Sequence, residues 1–317
     1  MADTRNAHVD AKICVVGAAL IDLISYVPRL PRVGETLHGK DFSMGFGGKG
    51  ANQAVMAAKL GAQVSLVTAL GRDVFGDGTL ANLRSFGIDT ANILVVEGAP
   101  SGVAPITVDE SGANAIIIVT GANDLLGERE VEQARAAIAA ADVLICQLEI
   151  PLAATRAALR IAREESTRTI LNPAPARADL PADLFELADV FCPNESETEL
   201  LLGRPLAPGE EEAAASSLLE RGAGSVILTL GERGCLVHTA ETSIAVPAER
   251  VDVKDTTGAG DAFVASLAYF LATGRPLVEA AVRANHIASV SVQARGTQTS
   301  FPDRACLPTL ATWRDPW

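Results

Sequence analysis

The chain has 317 residues, of which 48% are hydrophobic and 21% charged, so it is too apolar for a disordered protein and long enough for a large core. With 26 basic against 39 acidic residues its formal charge is −13, and neither nucleic acid nor a membrane is expected as a partner. A polar start and five scattered cysteines without CxxC spacing favour a cytoplasmic protein.

Short apolar runs alternate with helical stretches from residue 13 onward, a pattern typical of a parallel sheet covered by helices. The predicted buried strands are 13–17, 64–70, 143–148, 169–172, 190–194 and 226–231. The predicted helices are 51–60, 77–86, 128–140, 152–165, 195–202, 210–222, 259–272 and 277–292. We therefore predict an α/β fold with a doubly wound, mostly parallel sheet flanked by helices, in one domain over residues 1–317.

Two stretches, 23–47 and about 93–119, interrupt this alternation because they contain strand-like segments and no helix that could connect parallel strands. In the second, the strand-like segments 101–110 and 114–120 flank a turn at 110–113. We predict that the two stretches form one small antiparallel β-sheet. Such a sheet over the mouth of an α/β core is a candidate lid.

The segment DTTGAGDAF, residues 255–263, places Gly258, Ala259 and Gly260 before a predicted helix that has Asp261 in its first turn. Free N–H groups at such a helix start can bind phosphate or a developing anion. An aspartate beside them could accept a proton from a hydroxyl nucleophile. The alternative is that Asp261 only suits the helix dipole and that the glycines form a tight turn.

The segment GFGGKGAN, residues 45–52, contains the spacing GxGxxG, but the residues before it are polar and do not form the buried strand of a dinucleotide-binding unit. It is not a Walker A loop either, because Lys49 is followed by Gly50. We interpret it as a glycine hinge that brings the chain close to a small ligand, with Lys49 and Asn52 as donors. The two segments together indicate a phosphoryl-transfer enzyme without a P-loop.

These motifs as a pair resemble the ribokinase (carbohydrate kinase) family, over residues 13–310. NPAPA (172–176), PNESETE (193–199), TLGERG (229–234) and SVQARGTQTSFP (291–302) strengthen the resemblance. It implies a ribokinase-like fold and an ATP-dependent kinase that phosphorylates D-ribose at O5 to give ribose 5-phosphate and ADP. The alternatives are a kinase of the same family acting on 2-deoxyribose, another sugar or a nucleoside, and a non-catalytic sugar-binding protein.

The resemblance also implies a role for individual residues. Asp261 matches the catalytic base, and the N–H groups around Gly258, Ala259 and Gly260 match its anion hole. The positions that match sugar-binding residues are Asp22, Gly48, Lys49, Asn52, Glu149 and Asp261. The positions that match nucleotide-binding residues are Asn194, Thr229, Gly231, Gly234, Gly260 and Asn285.

The same resemblance implies binding sites for two cations, Mg²⁺ and K⁺. Glu197, together with Asn194, matches a position that organises Mg²⁺ through water. A potassium site is implied at Asp255, Thr257, Ser291, Ala294, Gly296 and Ser300. The expected small molecules are thus ribose, ATP, Mg²⁺ and K⁺.

One position departs from the family pattern, and one surface suggests a partner. Some members carry Asn two positions before the sugar-binding aspartate, where this chain has Leu20, which leaves the choice of sugar open. The apolar stretch 115–119 lies on the predicted lid, where an open strand edge can pair with a copy of itself. Lids form a dimer interface in the family, so we expect a homodimer through the lid.

Overall fold

Strands and helices alternate along most of the chain in the computed structural model, which describes residues 11–306. The strands are β1 (Lys12–Val16), β2 (Leu20–Tyr26), β3 (Asp41–Gly47), β4 (Gln63–Gly71), β5 (Ile93–Val96), β6 (Gly102–Val108), β7 (Asn114–Ile116), β8 (Val143–Cys146), β9 (Arg168–Leu171), β10 (Val190–Phe191), β11 (Val226–Thr229), β12 (Cys235–His238) and β13 (Ser243–Val246). The α-helices are α1 (Lys49–Lys59), α2 (Val74–Ser85), α3 (Glu128–Gln133), α4 (Arg135–Ala139), α5 (Leu152–Glu164), α6 (Ala182–Glu186), α7 (Glu195–Leu202), α8 (Glu211–Leu219), α9 (Ala259–Ala272) and α10 (Leu277–Ser291). The two ends of the predicted domain, 1–10 and 307–317, lie outside the described residues.

The large sheet has the order β13-β12-β11-β10-β9-β8-β1-β4-β5, nine strands in the described part of the chain. All neighbours from β11 to β5 run parallel, and β12 and β13 extend one edge as an antiparallel hairpin. This confirms the predicted fold class. The chain moves from β1 towards β5 and later from β8 towards β13, so the direction of winding reverses between β1 and β8. Ligands of open α/β sheets bind outside the carboxyl ends of the strands at such a point.

The sheet separates two hydrophobic cores, because successive side chains of a strand point to opposite faces. In β1, Ile13 and Val15 pack in the core that includes α1, α2, α9 and α10. Cys14 and Val16 pack on the other side, with α3 to α8. The helices thus cover both faces, as doubly wound sheets require. Within residues 11–306, no helix has the length and the apolar composition needed to cross a bilayer.

The small sheet has the order β3-β2-β6-β7 and is built from both excursions of the chain. The strands within each excursion are antiparallel, as predicted. The two excursions meet through β2 and β6, which run parallel, with Asp22 opposite Ala104. We call this four-stranded sheet the lid.

The second excursion starts later than predicted, since β5 belongs to the large sheet. The interpretation of 93–119 as one excursion was wrong at its start because α2 supplies the crossover that returns the chain from β4 to a parallel neighbour. The predicted helix 128–140 is present as α3 and α4, separated at Ala134, where ψ is 4°. The hairpin of β12 and β13 was not predicted, because two four-residue strands give little periodicity.

Candidate active site

Polar residues collect at the carboxyl edge of the large sheet, where parallel strands end side by side. Glu149 lies just after β8, Asn172 directly follows β9, Asn194 lies just after β10, and Thr229 ends β11. Because the winding reverses between β1 and β8, the helices that leave this edge diverge and open a crevice there. The topology therefore assembles groups that are far apart in sequence.

Two helices begin at this edge, and both begin at a glycine without a side-chain cap. Gly48, before α1, has φ +85°, and Gly258, before α9, has φ +80°. A Cβ atom at Gly48 would lie 2.8 Å from the carbonyl oxygen of Ala18, and one at Gly258 would lie 2.6 Å from Cγ2 of Thr297. Only glycine fits both the backbone angle and the space. No capping side chain therefore occupies the first N–H groups of either helix, and these groups can donate to acceptors outside the helix.

Asp261 lies in the first turn of α9, and its side chain is fixed by two amides of α1. Asp261 is buried, with 6% of its surface exposed. Oδ2 accepts a hydrogen bond of 2.9 Å from Nδ2 of Asn52, and Oδ1 accepts one of 2.9 Å from Nε2 of Gln53. Donors on both oxygens hold the carboxylate in one orientation.

The N–H groups at the start of α9 form the candidate anion hole. Among the hydrogen bonds of residues 11–306, none uses the N–H of Gly258, Gly260 or Asp261. The N–H of Ala259 instead donates to the carbonyl oxygen of Thr256 at 3.2 Å, which differs from the prediction that included it. A Cβ atom at Gly260 would meet nothing within 4 Å, so this glycine leaves room directly above the helix start.

A cavity of about 180 Å³ joins this helix start to the ends of the strands. It is lined by predicted residues from all three groups, catalytic, sugar-binding and nucleotide-binding: Lys49, Asn194, Glu197, Thr229, Gly258, Gly260 and Asp261. Asn172, Ala174, Cys192 and Val264 complete its wall. Residues separated by up to about two hundred positions in sequence thus share one space.

Two further carboxylates lie on the side of the site that the sequence assigns to the sugar. Burial raises the pKa of Asp22 to about 6, with a smaller contribution from the negative charge of Asp261. Burial also raises the pKa of Glu149 to about 7, although the positive charge of Lys49 opposes the shift. Oε2 of Glu149 accepts the backbone N–H of Lys49 at 2.7 Å. The charges of Asp22, Glu149, Lys49 and Asp261 are therefore close enough to interact.

Lys49 balances this concentration of negative charge. Burial by itself would lower the pKa of its ammonium group. The carboxylates of Asp261, Glu149 and Glu197 outweigh burial and raise that pKa, so Lys49 remains charged. A fixed cation beside a proton acceptor and an anion hole is suited to the transfer of a negatively charged group.

Asn194 and Glu197 form a capping box at the start of α7. The N–H of Glu197 donates to Oδ1 of Asn194 at 2.8 Å, and the two oxygens of Glu197 accept from the N–H and Nδ2 of Asn194 at 2.8 and 2.9 Å. Burial raises the pKa of Glu197, while the N–H of Asn194 opposes the shift. The motif thus fixes an amide and an acid on the cavity wall.

Comparison with known proteins agrees with this geometry. Residues 10–304 match the pfkB family of carbohydrate kinases. The chain belongs to that family. It is similar to ribokinase of Mus musculus, with 45% identity over 94% of each chain, and to deoxyribokinase of Salmonella typhi, with 40% identity over 92% of this chain and 95% of the relative. Its fold is similar to that of Arabidopsis thaliana ribokinase complexed with ribose and ATP, with TM-score 0.87, 30% identity, and coverage of 93% and 96%.

Membership of the pfkB family also excludes the dinucleotide interpretation of the GxGxxG spacing. β3, which carries the first two of these glycines, is an edge strand of the lid and not a strand of the large sheet. A dinucleotide-binding loop follows a buried strand of the main sheet. The glycines serve a different purpose here, since at Gly47 a Cβ atom would lie 2.3 Å from Oδ1 of Asp22.

The residues of the expected potassium site are in part brought together. Asp255 links two segments, because its Oδ1 accepts the N–H of Thr257 and its Oδ2 accepts the N–H of Gly296, both at 2.9 Å. The others bond within their own turns: Ser291 to Ala288, Ala294 to Ser291, and Ser300 to Thr297. The result is a loop rich in oxygen atoms next to the start of α9.

The remaining nucleotide-side residues lie further from the cavity described above. Gly231 and Gly234 bound the 3-10 turn at Gly231–Arg233 after β11, and a Cβ atom at Gly234 would lie 2.0 Å from the carbonyl oxygen of Val246. Nδ2 of Asn285 donates to the carbonyl oxygen of Pro247 at 2.9 Å. Asn285, which lies on α10, thus attaches the segment after β13 to that helix.

Three buried polar residues that hold Asp261 and Asn52 in place, Gln53, Asn172 and Gln298, were not predicted from the sequence. Gln53 is 0% exposed, contacts Asp261 as described, and also accepts a hydrogen bond from Gln147. Gln298 donates to Oδ1 of Asn52 at 3.1 Å, and Asn172 accepts from Gln53 at 3.3 Å. The available signal was the pair of polar side chains Asn52 and Gln53 in a helix that, between Lys49 and Lys59, otherwise contains only Gly, Ala, Val and Met.

Proposed function

We propose that the protein is an ATP-dependent ribokinase that phosphorylates D-ribose at O5 to give ribose 5-phosphate and ADP. The observation that carries the proposal is the Asp261 carboxylate, held by two amide donors beside unused N–H groups at the start of α9. Membership of the pfkB family and 45% identity to a mouse ribokinase support it. The Arabidopsis ribokinase of similar fold is complexed with ribose and ATP, which supports the same pair of substrates here.

In this proposal Asp261 accepts the proton of the O5 hydroxyl as that oxygen attacks the γ-phosphorus of ATP in line with the leaving ADP. The N–H groups of Gly260 and Asp261 stabilise the charge on the transferred phosphoryl group. Asp22 and Glu149 accept hydrogen bonds from the other sugar hydroxyls and orient the ring. Lys49 contributes a fixed positive charge at the same place.

Mg²⁺ would accompany ATP on the side of Asn194 and Glu197. Both Glu197 oxygens already accept from Asn194, so they suit a metal ion held through water better than one bound directly. Within residues 11–306 no cluster of three acidic, histidine or cysteine side chains could hold a metal by itself. The residues therefore fit a metal that is bound mainly by the triphosphate, where it would neutralise phosphate charge.

A potassium ion would be held by the loop around Asp255 and the turns of 291–300. The oxygen donors there are carbonyl and hydroxyl groups together with the Asp255 carboxylate, which are the ligands that hard cations prefer. Its positive charge would lie behind the anion hole. The residues that would contribute are Asp255, Thr257, Ser291, Ala294, Gly296 and Ser300.

The sugar could instead be 2-deoxyribose, and Leu20 is the observation that favours this second candidate. Leu20 lies on β2 two positions before Asp22, is 3% exposed, and pairs with Gly47 of β3. An apolar side chain there gives no hydrogen bond to a sugar hydroxyl, so the loss of one hydroxyl would cost less binding energy than in a pocket with Asn. A deoxyribokinase at 40% identity is consistent with this candidate.

The proposed function is tested by release of ADP from Mg-ATP with D-ribose, 2-deoxyribose, fructose and adenosine, in potassium and again in sodium. We expect the highest kcat/KM with ribose and faster turnover in potassium. A preference for 2-deoxyribose that Leu20→Asn reverses would establish the second candidate. Ribose binding without turnover of any acceptor would instead indicate a non-catalytic sugar-binding protein.

We also propose that the lid closes over the sugar and joins two chains into a homodimer. Strands β3 and β7 are the open edges of the lid. Phe42 and Met44 on β3, and the stretch 116–119, are exposed large hydrophobic residues. An open strand edge with exposed apolar groups is stabilised by pairing with a second copy. The cytoplasmic location stays a prediction from the sequence.

A further inference from the structure

A second cavity lies at the opposite edge of the large sheet, at the amino ends of β9, β10 and β11. Its volume is about 610 Å³, within the range of cavities that bind small molecules. Arg168 starts β9, Val190 starts β10 and Ser225 precedes β11, and all three line it. None of its lining residues belongs to the cavity at the carboxyl edge. The two cavities are therefore separate.

The charge of this cavity is opposite to that of the whole chain. Three arginines line it, Arg163, Arg168 and Arg275, against one carboxylate, Asp189. The Asp189 carboxylate already accepts the N–H of Thr169 at 2.8 Å and the hydroxyl of Thr169 at 3.2 Å. Such a local excess of positive charge attracts anions, although the formal charge of the whole chain is −13.

The guanidinium groups keep much of their capacity to donate. Arg163 donates from Nη1 to the carbonyl oxygen of Glu186 at 2.8 Å, and within residues 11–306 no carboxylate pairs with its charge. In the part of the chain that the structure describes, the Arg168 side chain has no hydrogen bond and no ion pair.

Arg275 makes only a long contact, since its Nη1 lies 3.4 Å from Oε1 of Glu279. The same carboxylate oxygen is bound at 2.6 Å by Arg283. The start of α10 at Pro276 and Leu277 also lines the cavity, and it has no side-chain cap. Its N–H groups add to the positive character there.

We propose that this cavity is a binding site for a small organic polyanion with at least two anionic groups, phosphate or carboxylate. Arginine is the side chain best suited to both groups, because its planar fork of N–H donors can bind two oxygens at once. Three such forks around one cavity fit a ligand with more than one anionic group. The site is independent of which sugar the kinase site accepts.

Ser166 offers a test in which only charge changes. It lines the cavity, is exposed, and has φ +61°, a left-handed conformation. Asn and Asp are the residues other than glycine that adopt this conformation most readily, so Ser166→Asn and Ser166→Asp both suit the backbone. The two variants differ by one negative charge inside the cavity. Arg168→Gln removes a proposed contact, and Arg129→Gln, at an exposed arginine of α3 outside the cavity, is its matched control.

The experiment is calorimetric titration of the full chain with pyrophosphate, and separately with citrate, without Mg²⁺ and at two concentrations of ADP. We expect saturable binding of one or both whose Kd does not depend on ADP. Ser166→Asp should raise that Kd about tenfold or more and Ser166→Asn should not; Arg168→Gln should raise it and Arg129→Gln should not.

The two probes distinguish phosphate from carboxylate ligands. Competition with ADP would show that the anion enters the nucleotide site, and this would overturn the proposal. The same holds if neither probe binds saturably at millimolar concentration, or if Ser166→Asp binds as well as Ser166→Asn. Thermal unfolding of each variant checks that a lost signal does not come from misfolding.

Discussion

At the scale of single residues, the site depends on carboxylates whose surroundings give them different tasks. Asp261 is held by two amide donors, while Asp22 and Glu149 have few donors and raised pKa values because of burial. A group that accepts a proton during turnover must start ionised, whereas a group that binds hydroxyls must stay ionised for as long as the sugar is bound. We therefore expect substitution of Asp261 to change turnover, and substitution of Asp22 or Glu149 to change sugar binding.

Asp261→Asn is expected to lower kcat by about 10²-fold or more, because the amide cannot accept the proton of the attacking hydroxyl. The shape of the side chain is kept, so sugar binding measured by calorimetry should remain. Glu128→Gln, an exposed acid at the start of α3, is the matched control and should leave kcat unchanged. Substantial turnover by Asp261→Asn would mean that Asp261 mainly positions the substrate.

The raised pKa of Glu149 leads us to expect that sugar binding depends on pH. Its pKa is raised to about 7, so the protonated fraction grows as the pH falls through that value, and the protonated carboxyl accepts hydroxyls less well. We expect the KM for the sugar to rise on the order of tenfold between about pH 8 and pH 6, with a further rise as Asp22 is protonated near pH 6.

Steady-state kinetics across this range test the prediction. Glu149→Gln should have a higher KM at pH 8 and a much flatter profile, whereas Glu128→Gln should keep the slope of the unaltered chain. A slope that Glu149→Gln leaves unchanged would assign the titration to another group.

At the scale of elements, the start of α9 carries both the proposed proton acceptor, Asp261, and the N–H groups of the proposed anion hole. α1 and α9 pack in the same core, through small residues such as Ala54, Ala265 and Ala268. Both helices begin at the same edge of the sheet, so Asn52 and Gln53 of one helix reach Asp261 of the other. Close packing of the two helices thus fixes the carboxylate of Asp261, the proposed catalytic base.

Gly260→Ala is expected to fold normally and to lose activity. A Cβ atom at Gly260 meets nothing within 4 Å, and alanine is the better helix former, so the Tm should stay the same or rise. The added methyl group would take up space beside the N–H groups that we propose bind the transferred phosphoryl group. We expect kcat to fall about tenfold or more. Unchanged kcat with unchanged Tm would place the anion hole elsewhere.

At the scale of the whole molecule, the large sheet separates two binding edges and the lid adds a third surface. The kinase site lies at the carboxyl edge, and the arginine-lined cavity lies at the amino edge. The lid projects from the core with its strand edges and several apolar side chains exposed. The predicted dimer belongs to this scale, because it would bury these groups without changing the core.

Ile117→Lys is expected to shift the chain from dimer to monomer. Ile117 directly follows β7 of the lid and is 65% exposed. A lysine there would bring two like charges together across a symmetric interface. Sedimentation velocity at micromolar concentration measures the change. Val74→Lys, at the start of α2 and 77% exposed, is the control outside the lid and should leave the association state unchanged. A monomeric unaltered chain would contradict the proposed dimer.

The sequence by itself determined the fold class, because alternating buried strands and helices have distinct periodicities that need no knowledge of the partner elements. It also singled out segments 45–52 and 255–263 as candidates for the site, since glycines before a helix and an acid in its first turn are local features. The lid hairpin at 110–113 was equally local. The start of β5 was not, because a short apolar strand joins whichever sheet its crossover reaches.

Only the tertiary structure decided which polar residues meet. Gln53 and Asn172 lie 119 positions apart, yet they are hydrogen-bonded, because the ends of separate elements converge at one edge of the sheet. The raised pKa of Glu149 has the same origin, since burial and neighbouring charges come from other parts of the chain. The arginine-lined cavity collects residues from the starts of three strands and the loop before α10. No local pattern reports such encounters, because they depend on how elements distant in sequence pack together in space.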